Sequence, residues 1–223
     1  MEEVIVGTIN SAIIVFISGS NCVGKTTIAR NILQNHPEFI VIQNVDILRE
    51  IVRSTYNEFD LYNGNFTLLN KSASELTYDK LLLQTEILLP SIISTCKRLK
   101  NKQISAIIEG IDICYESLFK NDEFQQFTKE YKNIIFVNLF LSDRNEHYKR
   151  IANRNVDSIT KEKQLKNFEN IRNTNDIMNS VVNKLNKQSK SSNELIINID
   201  TLMTDSKMQS NIDRITSIIE TKF

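Results

Sequence analysis

Gly19-Ser20-Asn21-Cys22-Val23-Gly24-Lys25-Thr26 satisfies the pattern G-x-x-x-x-G-K-[ST]. Such a stretch turns backbone N–H groups inward around phosphate oxygens, sends its lysine to the β- and γ-phosphates of a nucleotide and puts its hydroxyl in the shell of Mg²⁺. Positions 19–27, through Thr27, are therefore the candidate ATP-binding segment, with Lys25 meeting the transferring charge and Thr26 as a metal ligand. The context agrees: the apolar run Ile13-Ile14-Val15-Phe16-Ile17 reads as a strand entering the loop, and Thr27-Ile28-Ala29-Arg30-Asn31-Ile32-Leu33 reads as a helix leaving it. A helix starting there adds its dipole and unpaired N–H groups to the anion site. A chance turn between strand and helix has no packing reason to place Lys and Thr directly after that glycine.

Other chemistry-bearing residues fall at the ends of further apolar runs. Phe39-Ile40-Val41-Ile42 follows His36-Pro37, where proline blocks a helix, and leads to Asp46 and Arg49. Ligands of parallel sheets gather at the carboxyl ends of strands, so Asp46 and Arg49 would share the crevice of the phosphate loop. There Asp46 could deprotonate an acceptor hydroxyl or hold Mg²⁺ through water. The plainer alternative is that Asp46 caps a helix through Leu48, Ile51 and Val52 while Arg49 faces solvent. The run 104–110 ends in Glu109-Gly110, where phosphate-loop proteins often keep an acid for Mg²⁺ or for the attacking group. After the apolar run 134–141, Ser142 or Asp143 would cap a helix carrying His147, Arg150 and Arg154 on one face. Converging guanidinium groups neutralise charge in phosphoryl transfer, whereas a solvated basic face would do nothing.

The elements that must position these groups alternate. Five strand-like runs, the last at 194–200, are separated by helical patterns at 78–100, around Phe119, Phe124 and Phe127, and at 160–188, where Arg172 sits near the middle. The wholly apolar fourth run is expected near the sheet centre. Pro90 predicts a kink in the 78–100 helix, and Gln84 on that helix is expected to face solvent rather than the acceptor pocket. The closing segment, with Met208, Ile212, Ile215 and Ile219, has the pattern of an amphipathic helix. The fold expected is α/β: a P-loop NTPase fold in one domain over 1–223, with a five-stranded doubly wound parallel sheet, a helical lid at about 142–160 and an acceptor-binding insert at about 54–77.

Composition narrows the partners. Lys and Arg number 27 against 27 Asp and Glu, so no global field exists to hold nucleic acid or an anionic membrane. Cys22, Cys96 and Cys114 are widely spaced without metal-ligand spacing and read as reduced thiols of a cytoplasmic protein, with Cys22 in the loop open to oxidation. No apolar run approaches a membrane span, and Glu2 and Glu3 stand where a signal peptide would be basic.

Several segments together resemble the 2-phosphoglycerate kinase-like family of nucleotide-kinase-type P-loop proteins. They are 19–29, Asp46-Ile47-Leu48-Arg49-Glu50, Ile107-Ile108-Glu109-Gly110, His147-x-x-Arg150-x-x-x-Arg154 and Asn167-Phe168-Glu169-Asn170-Ile171-Arg172. The resemblance implies transfer of the γ-phosphate of Mg·ATP to a small phosphorylated acid. It places Asp46 and Arg49 near the acceptor and Arg150 and Arg154 in a closing lid; Glu109, Asp112, His147 and Arg172 are further candidates for the acceptor site. Where the family continues Glu-Gly with an apolar residue and His, this chain has Ile111 and Asp112. Asp112 beside an anionic acceptor would repel it unless Mg²⁺ or arginine intervenes. Two other functions fit the motifs: a kinase for a polynucleotide or sugar-nucleotide hydroxyl, and a nucleotide-switched binding module signalling through the insert. Neutral net charge weighs against a polynucleotide.

Overall fold

The computed structural model describes residues 12–55, 64–189, 195–202 and 205–221. Tyr56, Phe59, Tyr62 and Asn63 of the expected insert, and positions 190–194 up to the start of the fifth strand-like run, lie outside these residues.

Five strands form one parallel sheet: β1 Ile14–Gly19, β2 Phe39–Asn44, β3 Ser105–Gly110, β4 Ile134–Phe140 and β5 Ile197–Asp200, in the order β2-β3-β1-β4-β5. β1 therefore takes the centre, and β4 lies between it and the edge strand β5. The alternation of β1 explains this place. Ile14 and Phe16 point into one apolar layer, Ile13, Val15 and Ile17 into the other, and all five are fully buried. Each such side chain contributes roughly 1.5–3 kcal/mol on burial, so a strand apolar on both faces is most stable in the middle of a sheet.

The helices are α1 Lys25–Asn35, α2 Val45–Ser54, α3 Tyr78–Asn101, α4 Tyr115–Lys120, α5 Asp122–Glu130, α6 Arg144–Ala152, α7 Ser158–Lys166, α8 Phe168–Gln188 and α9 Asp205–Glu220. Ile28, Ala29 and Ile32 of α1 share one apolar layer with Ile215 and Ile219 of α9; Leu88, Leu89 and Ile92 of α3 share the other with Leu118, Phe124 and Val182. No helix among the described residues is long and apolar enough to cross a membrane.

Two expectations are corrected. The single helix foreseen over 160–188 is two, because Asn167 turns its side-chain amide onto the Lys163 carbonyl at 2.9 Å and ends α7 before α8 begins. Gln84 is fully buried instead of solvent-facing: its amide donates to the Leu68 carbonyl at 2.7 Å and fastens the 3₁₀ turn Gly64–Asn70 to α3.

Register brings the functional ends together. Ile17 pairs with Glu109, Asn44 also pairs with Glu109, and Gly19 pairs with Leu139. The exits of β1, β2 and β3 are thus level along one edge of the sheet. Gly110 permits this, since a Cβ there would lie 2.8 Å from the Cβ of Val45 at the start of α2.

Candidate functional site

The loop between β1 and α1 is shaped by positive φ angles at Gly19, Cys22 and Gly24. At Gly19 only glycine fits: φ is +144° and a Cβ would stand 2.4 Å from the Leu139 carbonyl oxygen. The ammonium of Lys25 folds back over the loop and donates to the carbonyls of Gly19 at 2.9 Å and Ser20 at 2.8 Å. Burial holds its pKa below the ordinary lysine value, opposed by Glu109 and Asp46. The loop is also gripped from behind. His147 on α6 places Nε2 at 2.7 Å from the Asn21 carbonyl, which can only accept, so Nε2 carries the proton and Nδ1 is bare. Burial lowers the pKa of this imidazole and keeps it neutral.

Asn175 on α8 is a member of the site that the sequence did not disclose. Its Oδ1 accepts from the Leu141 N–H at 2.9 Å and the Ser20 hydroxyl at 3.4 Å, while its Nδ2 donates to the Leu141 carbonyl at 3.1 Å. The available signal is an amide within the buried stripe that also carries Ile171 and Met178. One turn earlier Arg172 donates to the carbonyls of Leu141 at 2.6 Å and Ser142 at 3.1 Å.

The acidic side is built on Glu109, which is buried and accepts on one oxygen from the Thr26 hydroxyl at 3.0 Å and from the Asn44 amide at 2.9 Å. Asn44 in turn caps α2 by accepting from the Asp46 N–H at 2.7 Å. The cap is thus Asn44, and the exposed carboxylate of Asp46 is left to face the crevice and Arg49, 3.3 Å away. Arg49 is not on a solvent face either: its side chain is 11% exposed and lies between Asp46 and Asp112, the latter at 3.7 Å. Its Nε and one terminal nitrogen have no hydrogen-bond partner, and neither have the two oxygens of Asp112. Asp112 is fully buried. Burial pushes its carboxyl up to about 7 against the pull of Arg49, with Asp46 pushing the same way as burial and Lys25 opposing.

Lys25, Thr26, Asn44, Asp46, Arg49 and Glu109 line one pocket of about 320 Å³, whereas Asp112, expected at the acceptor, lies behind Arg49 and outside the lining. Lys25, Arg49, Arg154 and Lys163 bring positive charge to its wall, and Asp46 and Glu109 bring negative charge. Arg154 is exposed at the mouth of the loop, where its charge opposes the effect of burial on the Cys22 thiol, whose pKa is nevertheless raised. Arg150, Arg172 and His147 do not line the pocket. Arg150 is bound elsewhere, to Glu146 at 3.0 Å and to the hydroxyl and carbonyl of Thr201 at 3.2 and 2.8 Å. The hard oxygens of Thr26 and Glu109 beside the loop suit Mg²⁺, which needs only one or two protein ligands when phosphates and water supply the others.

No family model and no curated protein matches the chain. A candidate kinase from Chloroflexus aurantiacus superposes with a TM-score of 0.56 at 12% identity, over 97% of this chain and 100% of the other. The fold is shared with that candidate kinase. The structure of the protein APE1195 gives a TM-score of 0.50 at 13% identity, over 95% and 96% of the two chains. Shikimate kinase from Bacteroides thetaiotaomicron matches more loosely, with a TM-score of 0.45 at 12% identity over 93% and 98%.

Proposed function

We propose that this chain is a P-loop kinase that transfers the γ-phosphate of Mg·ATP to a hydroxyl of a small, phosphorylated, 2-phosphoglycerate-like metabolite. The observation that carries the reading is the pocket itself: the phosphate loop opens directly into a cavity with four cationic side chains and the exposed carboxylate of Asp46, paired with Arg49. That combination suits an anionic acceptor whose hydroxyl must lose a proton. The shared fold with a candidate kinase supports it.

In this reading the loop N–H groups and Lys25 hold the β- and γ-phosphates, for which Lys25 leaves the two carbonyls it now bonds. Thr26 and Glu109 would hold Mg²⁺, which when bound neutralises charge on the phosphates. Asp46 takes the proton of the acceptor hydroxyl as its oxygen attacks the γ-phosphorus and the bond to the β-phosphate oxygen breaks. Arg49 and Lys163 bind the anionic groups of the acceptor, and Arg154 neutralises the transferring phosphoryl group. Arg49 also answers the repulsion expected from Asp112, since it stands between that carboxylate and Asp46 at the pocket wall. His147, Arg172 and Asn175 position the loop and the exit of β4.

The test is a screen of small phosphorylated metabolites with γ-labelled ATP and product analysis. Label appearing on a phosphorylated hydroxy acid is the expected outcome. Release of inorganic phosphate alone, with every metabolite unlabelled, would reject the kinase in favour of a nucleotide-driven switch.

A further inference from the structure

A second cavity, of about 480 Å³, opens beside the first. Its wall includes Lys71 after the 3₁₀ turn, Lys80 in the first turn of α3, and Lys163 and Lys166 in the last turn of α7. Glu75 is the acid among its described lining residues, and it is taken up by Lys163 at 2.6 Å. Lys71, Lys80 and Lys166 make no ion pair among the described residues. Three separate elements thus deliver unpaired ammonium groups to one concave surface of a chain whose net charge is zero. Lys80 also stands where the helix dipole disfavours a cation. Like charges gathered this way repel one another, and a bound anion removes that repulsion.

The position of the groove says which anion. Lys163 lines both cavities, and the segment 72–75 walls the two on its opposite sides, Ser72 and Ser74 toward the pocket and Glu75 toward the groove. The Lys163–Glu75 ion pair at 2.6 Å stands between the two cavities, so a ligand that occupied both would take Lys163 from Glu75. We infer that the acceptor carries a second phosphate group, distal to the hydroxyl that reacts, and that Lys71, Lys80 and Lys166 bind it. The inference rests on the kinase reading for the first cavity and extends it: the substrate class becomes a bisphosphorylated small molecule, longer than a three-carbon phospho-acid.

The test is equilibrium binding of fructose 6-phosphate and fructose 1,6-bisphosphate to the full chain, with and without Mg²⁺ and a non-hydrolysable ATP analogue. The wild type should prefer the bisphosphate by about tenfold, the effect of three partly exposed ion pairs. The combined Lys71→Ala, Lys80→Ala and Lys166→Ala variant should lose that preference, keep its ATP-analogue affinity and melt normally, and the corresponding Lys→Arg variant should regain it. Equal affinity of the wild type for both sugars, no binding of either, or a preference that survives the alanine variant would overturn the inference. So would lysine-dependent binding of a short single-stranded oligonucleotide more tightly than the bisphosphate, which would assign the groove to a polymer. A chain that binds no ATP analogue but keeps the lysine-dependent preference would refute the kinase reading and leave the groove standing. A wild type that binds the ATP analogue but shows no preference for the bisphosphate would do the reverse.

Discussion

Lys25 and Asp112 are the two residues at which the site stores an unfavourable arrangement. Lys25 is held by two carbonyls that, in the proposed kinase, it must release for phosphate, so its contribution would appear only when nucleotide arrives. Lys25→Ala should therefore lower kcat under saturating ATP by about 10²–10³, the loss found for one preorganised donor, and leave the fold intact. Rapid-quench transfer assays beside circular dichroism check this, and a variant with near-normal kcat removes Lys25 from the mechanism. Asp112 has its carboxyl buried without a hydrogen bond and its pKa pushed up from 3.8 to about 7. The folded state then binds a proton that the unfolded chain has already released. The stability tied to that proton is fully present below about pH 4 and is lost as pH rises through about 7. Over that window the wild type should lose up to about 4 kcal/mol relative to Asp112→Asn, at 1.36 kcal/mol per pKa unit. Urea unfolding of both proteins across the range reads the difference directly, and parallel pH profiles would show that Arg49 already keeps Asp112 ionised.

At the scale of elements, the two arginines foreseen as equivalent lid residues differ. Arg150 is half-buried and ties α6 to Thr201 just beyond β5, whereas Arg154 is exposed at the pocket. Arg150→Ala should cost about 1–3 kcal/mol of stability, the worth of charged hydrogen bonds to a partly buried carbonyl and hydroxyl. Arg154→Ala should melt within about 0.5 kcal/mol of wild type and lose about 10³ in single-turnover transfer. Thermal unfolding and single-turnover kinetics on the pair separate anchor from catalyst, and equal effects on both readouts would merge the roles again. The contrast shows what the sequence carries. Strand and helix patterns depend on near neighbours, so β1, the phosphate loop, α1 and the carboxylate ending β3 were readable from spacing. The partners that decide side-chain roles come from far along the chain: Asn44, not Asp46, caps α2 because Glu109 orients its amide across the sheet, and Asn175 reaches Ser20 across 155 positions. Periodicity holds no trace of such pairings. It also missed the break at Asn167, where a side-chain bond to the residue four back competes with the helix.

The whole molecule sets segments distant in the chain around one anion path. The ends of β1, β2 and β3 form its floor, while 72–75 and the segment from Arg154 through α7 form its walls, joined to each other by the Lys163–Glu75 ion pair at 2.6 Å. The floor is continuous with the two large apolar layers of the sheet, whereas the walls rest on the smaller clusters around Ala73 and Leu165, so their opening free energies should be the lower ones. Ligands ought to act on the two parts in sequence. Mg²⁺ with a non-hydrolysable ATP analogue should slow amide hydrogen exchange in the phosphate loop and the first turn of α1. Addition of a phosphorylated acceptor should then slow exchange in 72–76 and 154–166, because its phosphate bridges Arg49 on the floor to Lys163 on the wall. Lys163→Ala should abolish the second protection and preserve the first. Mass-spectrometric exchange over minutes to hours resolves the order. Protection of 154–166 by nucleotide alone, unchanged by any acceptor, would mean that this wall belongs to the ATP site and does not close over a second substrate.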